Sequence, residues 1–252
     1  GDRALTCLTF KAAHKVVVHG GEQADLARRH GVSEKKLIRG YHPLYDQFAP
    51  SQESAASIRR SLGLREKVVL FFGYIRPYKG LDVLLDAFVK FASSRPDVSL
   101  LIVGESFYKS RRQGGVEKPL DCFPVPETIS SRVVWINRYV DDHEVGRFFA
   151  AADVLVAPYL AVSQSGPLQI AYAFGKPVIA SDLQAFVEAV SPGESGLLFR
   201  AGDANDLARV LTRFYDSPVA ADSVLRFGRR FSWEAYVDKL LMECMCKEAI
   251  SA

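Results

Sequence analysis

Six short apolar runs, several of them separated by a stretch with helical periodicity, constrain this chain more than any other feature. They are residues 68–72 (VVLFF), 98–103, 133–136, 154–157, 177–180 and 197–199. An unbroken apolar run of this length suits a strand covered on both faces. Between the runs, residues 81–93 place Leu81, Leu84, Leu85, Phe88 and Phe91 on one side of a helix. Residues 144–152, 168–174 (closed by Gly175) and 204–215 also read as helices. Strands alternating with helices in this way require crossover connections and a parallel sheet. The fold class is therefore α/β, a Rossmann-like parallel sheet with helices on both faces. Ahead of it, residues 15–19 and 36–39 read as strands flanking a helix over 22–30 that Gly31 stops. That is too little for a domain of its own. Residues 49–57 have the polar character of a linker and helix start, and 233–247 form a final amphipathic helix.

Of the 252 residues, 48% are apolar and 24% charged, which excludes a disordered or fibrous chain. Lys and Arg exceed Asp and Glu by only 3, with both signs interspersed, so nothing demands a nucleic-acid partner. No run reaches the roughly 18 apolar residues of a membrane-spanning helix, and no signal peptide is visible. Four cysteines (Cys7, Cys122, Cys244, Cys246) form no CxxC pair and no metal-ligand spacing with the five histidines. They read as free thiols in a reducing, cytoplasmic compartment. Basic residues at 109–112 and 226–230 permit a peripheral position at an anionic membrane, and equally plain solvation. There is no GxGxxG, Walker, HExxH or GxSxG motif. His143, at a helix start, reads as a surface cap, and no metal site is expected.

In parallel α/β sheets ligands sit beyond the carboxyl ends of strands, near helix N-termini with free N–H groups. The turn after the first run, residues 72–80 (FGYIRPYKG), has Gly73 where a ligand could approach the backbone, followed by Arg76 and Lys79 over a helix start. A diphosphate would gain charge-assisted hydrogen bonds there; a solvated basic turn is the competing reading. Residues 158–168 offer Gln164, Ser165 and Gly166 at another helix start, equally suited to a simple N-cap. Residues 136–140 (INRYV) form a loop able to accept a planar base, though its composition is undistinguished, and in 104–107 (GESF) the lone Gly104 permits close backbone approach. The glycine-rich stretch 111–118 reads as a solvated loop.

Taken together, these turns resemble the donor-binding half of a family 4 (group 1) glycosyltransferase of GT-B fold. The resemblance runs through residues 70–88 (LFFGYIRPYKGLDVLLDAF), 101–104 (LIVG), 151–159 (AADVLVAPY), 164–181 (QSGPLQIAYAFGKPVIAS), Glu188 and 196–199 (GLLF). It implies residues 1–48 as a remnant of the amino-terminal domain with the interdomain crossing, 49–232 as the nucleotide-sugar domain, and 233–252 as a helix crossing back. It also implies metal-independent transfer of a sugar, with retention, from a nucleoside-diphosphate sugar to a saccharide or lipid-linked acceptor. Carried over by position, Arg76 and Lys79 grip the diphosphate and are the catalytic pair. Gly73, Tyr74 and Gly104 approach the donor, Arg138, Tyr139 and Val140 border the base, and Gln164, Ser165, Gly166 and Glu188 contact phosphate or sugar.

Two departures stand out. The family's paired glutamates, eight apart, fall on Val162 and Ile170, so the ribose contact must come from elsewhere, with Gln164 and Gln169 as candidates; Glu188 also suits a structural cap. In addition, most of the acceptor domain is not in this chain, so a missing domain or partner chain would complete the cleft. Two other classes compete. A non-catalytic interaction module would show an apolar patch around Leu240, Leu241 and Met245. A sugar-nucleotide epimerase would need an acid/base pair that no turn displays.

Overall fold

The computed structural model describes residues 2–106 and 123–245. The stretches at 109–112 and 111–118, Cys122, Cys246 and the end of the last helix lie outside the described residues. A helix α1 (Asp2–Ala12) leads into β1 (Val16–His19), α2 (Gly21–Arg29) and β2 (Leu37–Gly40), and β1 pairs in parallel with β2. Val18, Ala24, Ala27, Val32 and Leu37 form a small core of their own. After α3 (Ala55–Ser61) come the six expected strands: β3 (Lys67–Phe72), β4 (Val98–Val103), β5 (Val133–Ile136), β6 (Val154–Ala157), β7 (Val178–Ser181) and β8 (Gly196–Phe199).

The six pair in parallel in the order β5-β4-β3-β6-β7-β8. Alternate side chains of each strand enter opposite cores, because successive residues of a strand point to opposite faces. Val68 and Leu70 join a core with α6 (Asp142–Ala151), α7 (Gly166–Ala173) and α10 (Ala221–Gly228). Val69 and Phe71 join the other, with α4 (Leu81–Ala92) and α9 (Ala204–Asp216). Leu81, Leu84, Leu85, Phe88 and Phe91 of α4 are all buried, as their spacing predicts. Short helices α5 (Glu127–Ser130) and α8 (Gln184–Val187) bridge loops, and α11 (Trp233–Met245) closes the described chain.

Helices α1, α5, α8 and α10 were not legible in advance. Helix α1 presents Leu5 and Leu8 to solvent and reaches the small core of the β1–β2 unit through Phe10. Helix α10 lies in a charged stretch and is held by Val224, Phe227 and Phe231 against Tyr172 of α7. No described helix is long and apolar enough to cross a membrane.

The direction of winding reverses between β3 and β6. A crevice opens outside the carboxyl ends of the two strands at such a switch point. The turns after β3 and β6 are the two that carry Arg76, Lys79, Ser165 and Gly166.

Candidate functional site

The ladder does not stop where the strands end. The N–H of Gly73 donates to the Val103 carbonyl (2.9 Å), that of Ile75 to Glu105 (2.9 Å) and that of Gly104 to Ile136 (3.0 Å), while the Ser106 N–H reaches Asn137 Oδ1 (2.9 Å). These bonds hold the turns after β3, β4 and β5 edge to edge. Gly104 has φ +140° and Gly73 φ +98°, and a Cβ on Gly104 would collide with the Gly73 carbonyl. Only glycines let the two turns lie this close. Between them is a cavity of about 120 Å³ lined by Gly73, Tyr74, Gly104, Arg138, Tyr139 and Val140, with Phe72 and Glu105. Six of the residues expected at the donor thus meet in one place.

Beside this cavity, residues Pro77–Lys79 form a 3-10 turn, and Gly80 (φ +64°) starts α4. The sequence expectation put Arg76 and Lys79 directly over a helix start; instead this turn intervenes and separates their surroundings. Arg76 is exposed. Lys79 is only 7% exposed, with Nζ 3.0 Å from where a Gly73 Cβ would stand and 5.3 Å from the centre of the Tyr159 ring. Burial, with repulsion from Arg76, lowers its ammonium from the usual 10.5 to about 8. Among the described residues no carboxylate pairs with it. Pro167, in the first turn of α7, lies 3.4 Å from the same Gly73 position. The Leu160 N–H donates to the Tyr78 carbonyl (2.7 Å), locking the two turns together. An uncompensated ammonium and the N-terminus of α7 therefore converge on Gly73. Both favour an anion.

The remaining polar candidates are engaged by the protein's own groups. Ser165 is the N-cap of α7: its Oγ accepts from the Leu168 N–H (3.4 Å), and the residue is buried. Gln164 Nε2 donates to the His19 carbonyl (3.0 Å), so it joins β1 to the main sheet instead of facing the cavity. A Cβ on Gly166 would stand 2.9 Å from the Tyr45 ring, so the side of Gly166 lacking a side chain is occupied by the segment that follows β2. Glu188, expected at the donor, accepts the Gly21 N–H with both carboxylate oxygens (3.2 and 3.1 Å) and caps α2. Its distance from the cavity follows from α8, which packs on α2. Gln169, the other candidate for the ribose, is buried beneath α8 with Oε1 unpartnered. Arg138 is held bidentately by Glu144 (2.7 and 2.6 Å), which raises the guanidinium and lowers the carboxyl through their mutual hydrogen bonds.

Asp141, His143 and Glu144 have ligand atoms within 4.8 Å of one another, but Glu144 is already engaged by Arg138. Glu105, Tyr159 and Pro167 were not singled out from sequence. Glu105 follows Gly104 directly, and that adjacency was the available signal. Tyr159 and Pro167 act through packing across the switch point, which no local pattern displays.

The family model described as "Glycosyl transferases group 1" matches residues 66–217. The chain is 33% identical to a phosphatidyl-myo-inositol mannosyltransferase of Mycobacterium leprae, over 95% of this chain and 63% of that protein. It is 30% identical to a D-inositol 3-phosphate glycosyltransferase of Streptomyces avermitilis, over 88% of this chain and 50% of that protein. It spans about half the length of most curated relatives it matches. Among solved structures, sucrose-phosphate synthase of Thermosynechococcus elongatus superposes with a TM-score of 0.70 at 26% identity, covering 99% of this chain and 61% of that one. HepE of Anabaena, solved with UDP and glucose, superposes at 0.71 and 19% identity, covering 97% and 65%. The sheet, its switch point and the matched sequence agree: this chain belongs to the group 1 glycosyltransferases.

Proposed function

We propose that the chain supplies the donor-binding half of a glycosyltransferase that moves a sugar from a nucleoside-diphosphate sugar, with retention of anomeric configuration and without a metal. One observation carries this reading: the buried Lys79 ammonium, without a counter-ion among the described residues, meets the N-terminus of α7 beside the cavity at Gly73. Breaking the bond between sugar and diphosphate leaves growing negative charge on the phosphate oxygens. A fixed cation and the positive end of a helix stabilise that charge more than the ground state, which is how such sites lower a barrier. Arg76, exposed at the mouth of the same turn, supplies a second positive charge. The base lies in the cavity of Tyr74, Gly104 and 138–140. We read residues 1–48 and 233–252 as belonging with an acceptor-binding half, in the cytoplasm or at its membrane face, with a saccharide or lipid-linked acceptor. This follows the names of the inositol-phosphate and phosphatidylinositol relatives.

A second reading, a protein-interaction module, has one observation in its favour. Leu241 and Met245 of α11 are 52% and 68% exposed, although Leu240 is partly covered. A thermal-shift panel of nucleoside diphosphates separates the two. The donor reading expects at least one to raise the melting temperature, and Arg76→Ala with Lys79→Ala to abolish the rise. Melting indifferent to every diphosphate would falsify it.

A further inference from the structure

The cavity beside Gly73 is lined by one acidic and one basic residue whose situations are opposite. Arg138 is saturated: its guanidinium holds Glu144 bidentately and donates to the Tyr139 carbonyl (3.0 Å). Glu105 lines the same cavity, is half-buried, and its carboxylate has no hydrogen-bond or ion-pair partner among the described residues. Its backbone is nonetheless fixed, since its carbonyl accepts from Ile75 and the next N–H is held by Asn137. A carboxylate on a fixed stretch of backbone at the wall of a cavity, with no donor among the described residues, has both oxygens open to the N–H or O–H groups of a ligand.

Resting on the donor reading above, we propose that Glu105 selects the nucleobase and that the base is guanine. A carboxylate only accepts, through two oxygens side by side. Guanine alone among the common bases offers two adjacent donors, N1–H and the exocyclic N2 amino group, with no acceptor between them. Uracil presents a single N–H flanked by two carbonyl oxygens. Adenine and cytosine place a ring-nitrogen lone pair next to their amino group. Each of these three sets an acceptor against the carboxylate, and a like-for-like contact in a partly desolvated site costs binding. Tyr74 and Tyr139, on the same cavity, supply aromatic surface for any base and therefore do not discriminate.

The test is calorimetric titration of the full chain with GDP, UDP, ADP and CDP, repeated on Glu105→Gln and Glu105→Ala, with circular dichroism to verify folding. GDP is expected to bind about ten-fold or more tightly than the others, the usual scale for one bidentate pair. Both variants should lose that preference, GDP binding more weakly than to wild type while UDP, ADP and CDP bind no more weakly than before, relieved of the contact with the carboxylate. Glutamine, which replaces one acceptor oxygen by a donor, serves if the alanine variant folds poorly. If UDP or ADP binds as well as GDP in the wild type, the proposal is overturned and the donor reading stands. A loss of affinity for all bases alike in the variants also overturns it, since that assigns Glu105 to the ribose. If no nucleoside diphosphate binds at all, the donor reading falls and this inference with it.

Discussion

Lys79 concentrates the trade-off between stability and function at the scale of one residue. Its ammonium is buried against Tyr159 and beside Arg76, and it sits near pH 8 in place of 10.5. The folded state thus binds its proton more weakly than the unfolded chain does. The resulting penalty is fully present below about pH 8 and is relieved as pH rises from there towards 10.5. Lys79→Met should therefore raise the ligand-free stability at pH 7 by on the order of 2 kcal/mol. That gain should fade by about pH 10 and be accompanied by loss of nucleotide binding; denaturant melts at several pH values read the first part and titration the second. A destabilised variant would remove the argument that Lys79 waits for an anion. On the proposed donor reading a diphosphate would restore the ammonium, so its affinity should fall as pH climbs through 8. Little of this was visible in advance. The spacing of Arg76 and Lys79 was plain, but a burial difference between cations three apart depends on Tyr159 and Pro167, which come from across the sheet.

At the scale of elements, helix α2 is fastened from outside itself. Its N-cap, Gly20, has no side chain to offer, and the Gly21 N–H is met by Glu188, which Gln184 also contacts (3.0 Å). A carboxylate at that end also answers the helix dipole. Glu188→Ala should cost about 1 kcal/mol, the ordinary value of a lost cap. It should also speed amide exchange in α2 while leaving nucleotide affinity unchanged; reduced affinity instead would return Glu188 to the donor site. The sequence showed a glutamate ahead of the GLLF strand and could not say which of two partners it served, because Gly21 is 167 residues away. Strands β3 to β8 and helix α4 were legible because continuous apolar runs and a 3-4 spacing are local signals. Helices α1 and α10 were not, since one buries little beyond Phe10 and the other gains its core only by packing on α7.

For the whole molecule, the distribution of core sets the order of opening. Five buried side chains hold the β1–β2 unit, whereas the six-stranded sheet is packed on both faces. Native-state hydrogen exchange should accordingly be faster at Val18 and Leu37 than at Leu70 and Ile102, at free energies below global unfolding. Equal protection would mean that Gln164, Glu188 and Tyr45 weld the units into one. The order of apolar runs and helical spacings was enough, by itself, to determine a parallel α/β sheet and to single out the turns after β3 and β6. That follows because strand and helix periodicities are properties of neighbouring residues. Only the tertiary structure decided which candidates share a cavity, which cation is desolvated, and which polar groups are engaged by the amino-terminal segment. Those outcomes depend on contacts between residues far apart in the chain, and solvent exclusion at a site belongs to the assembled surfaces.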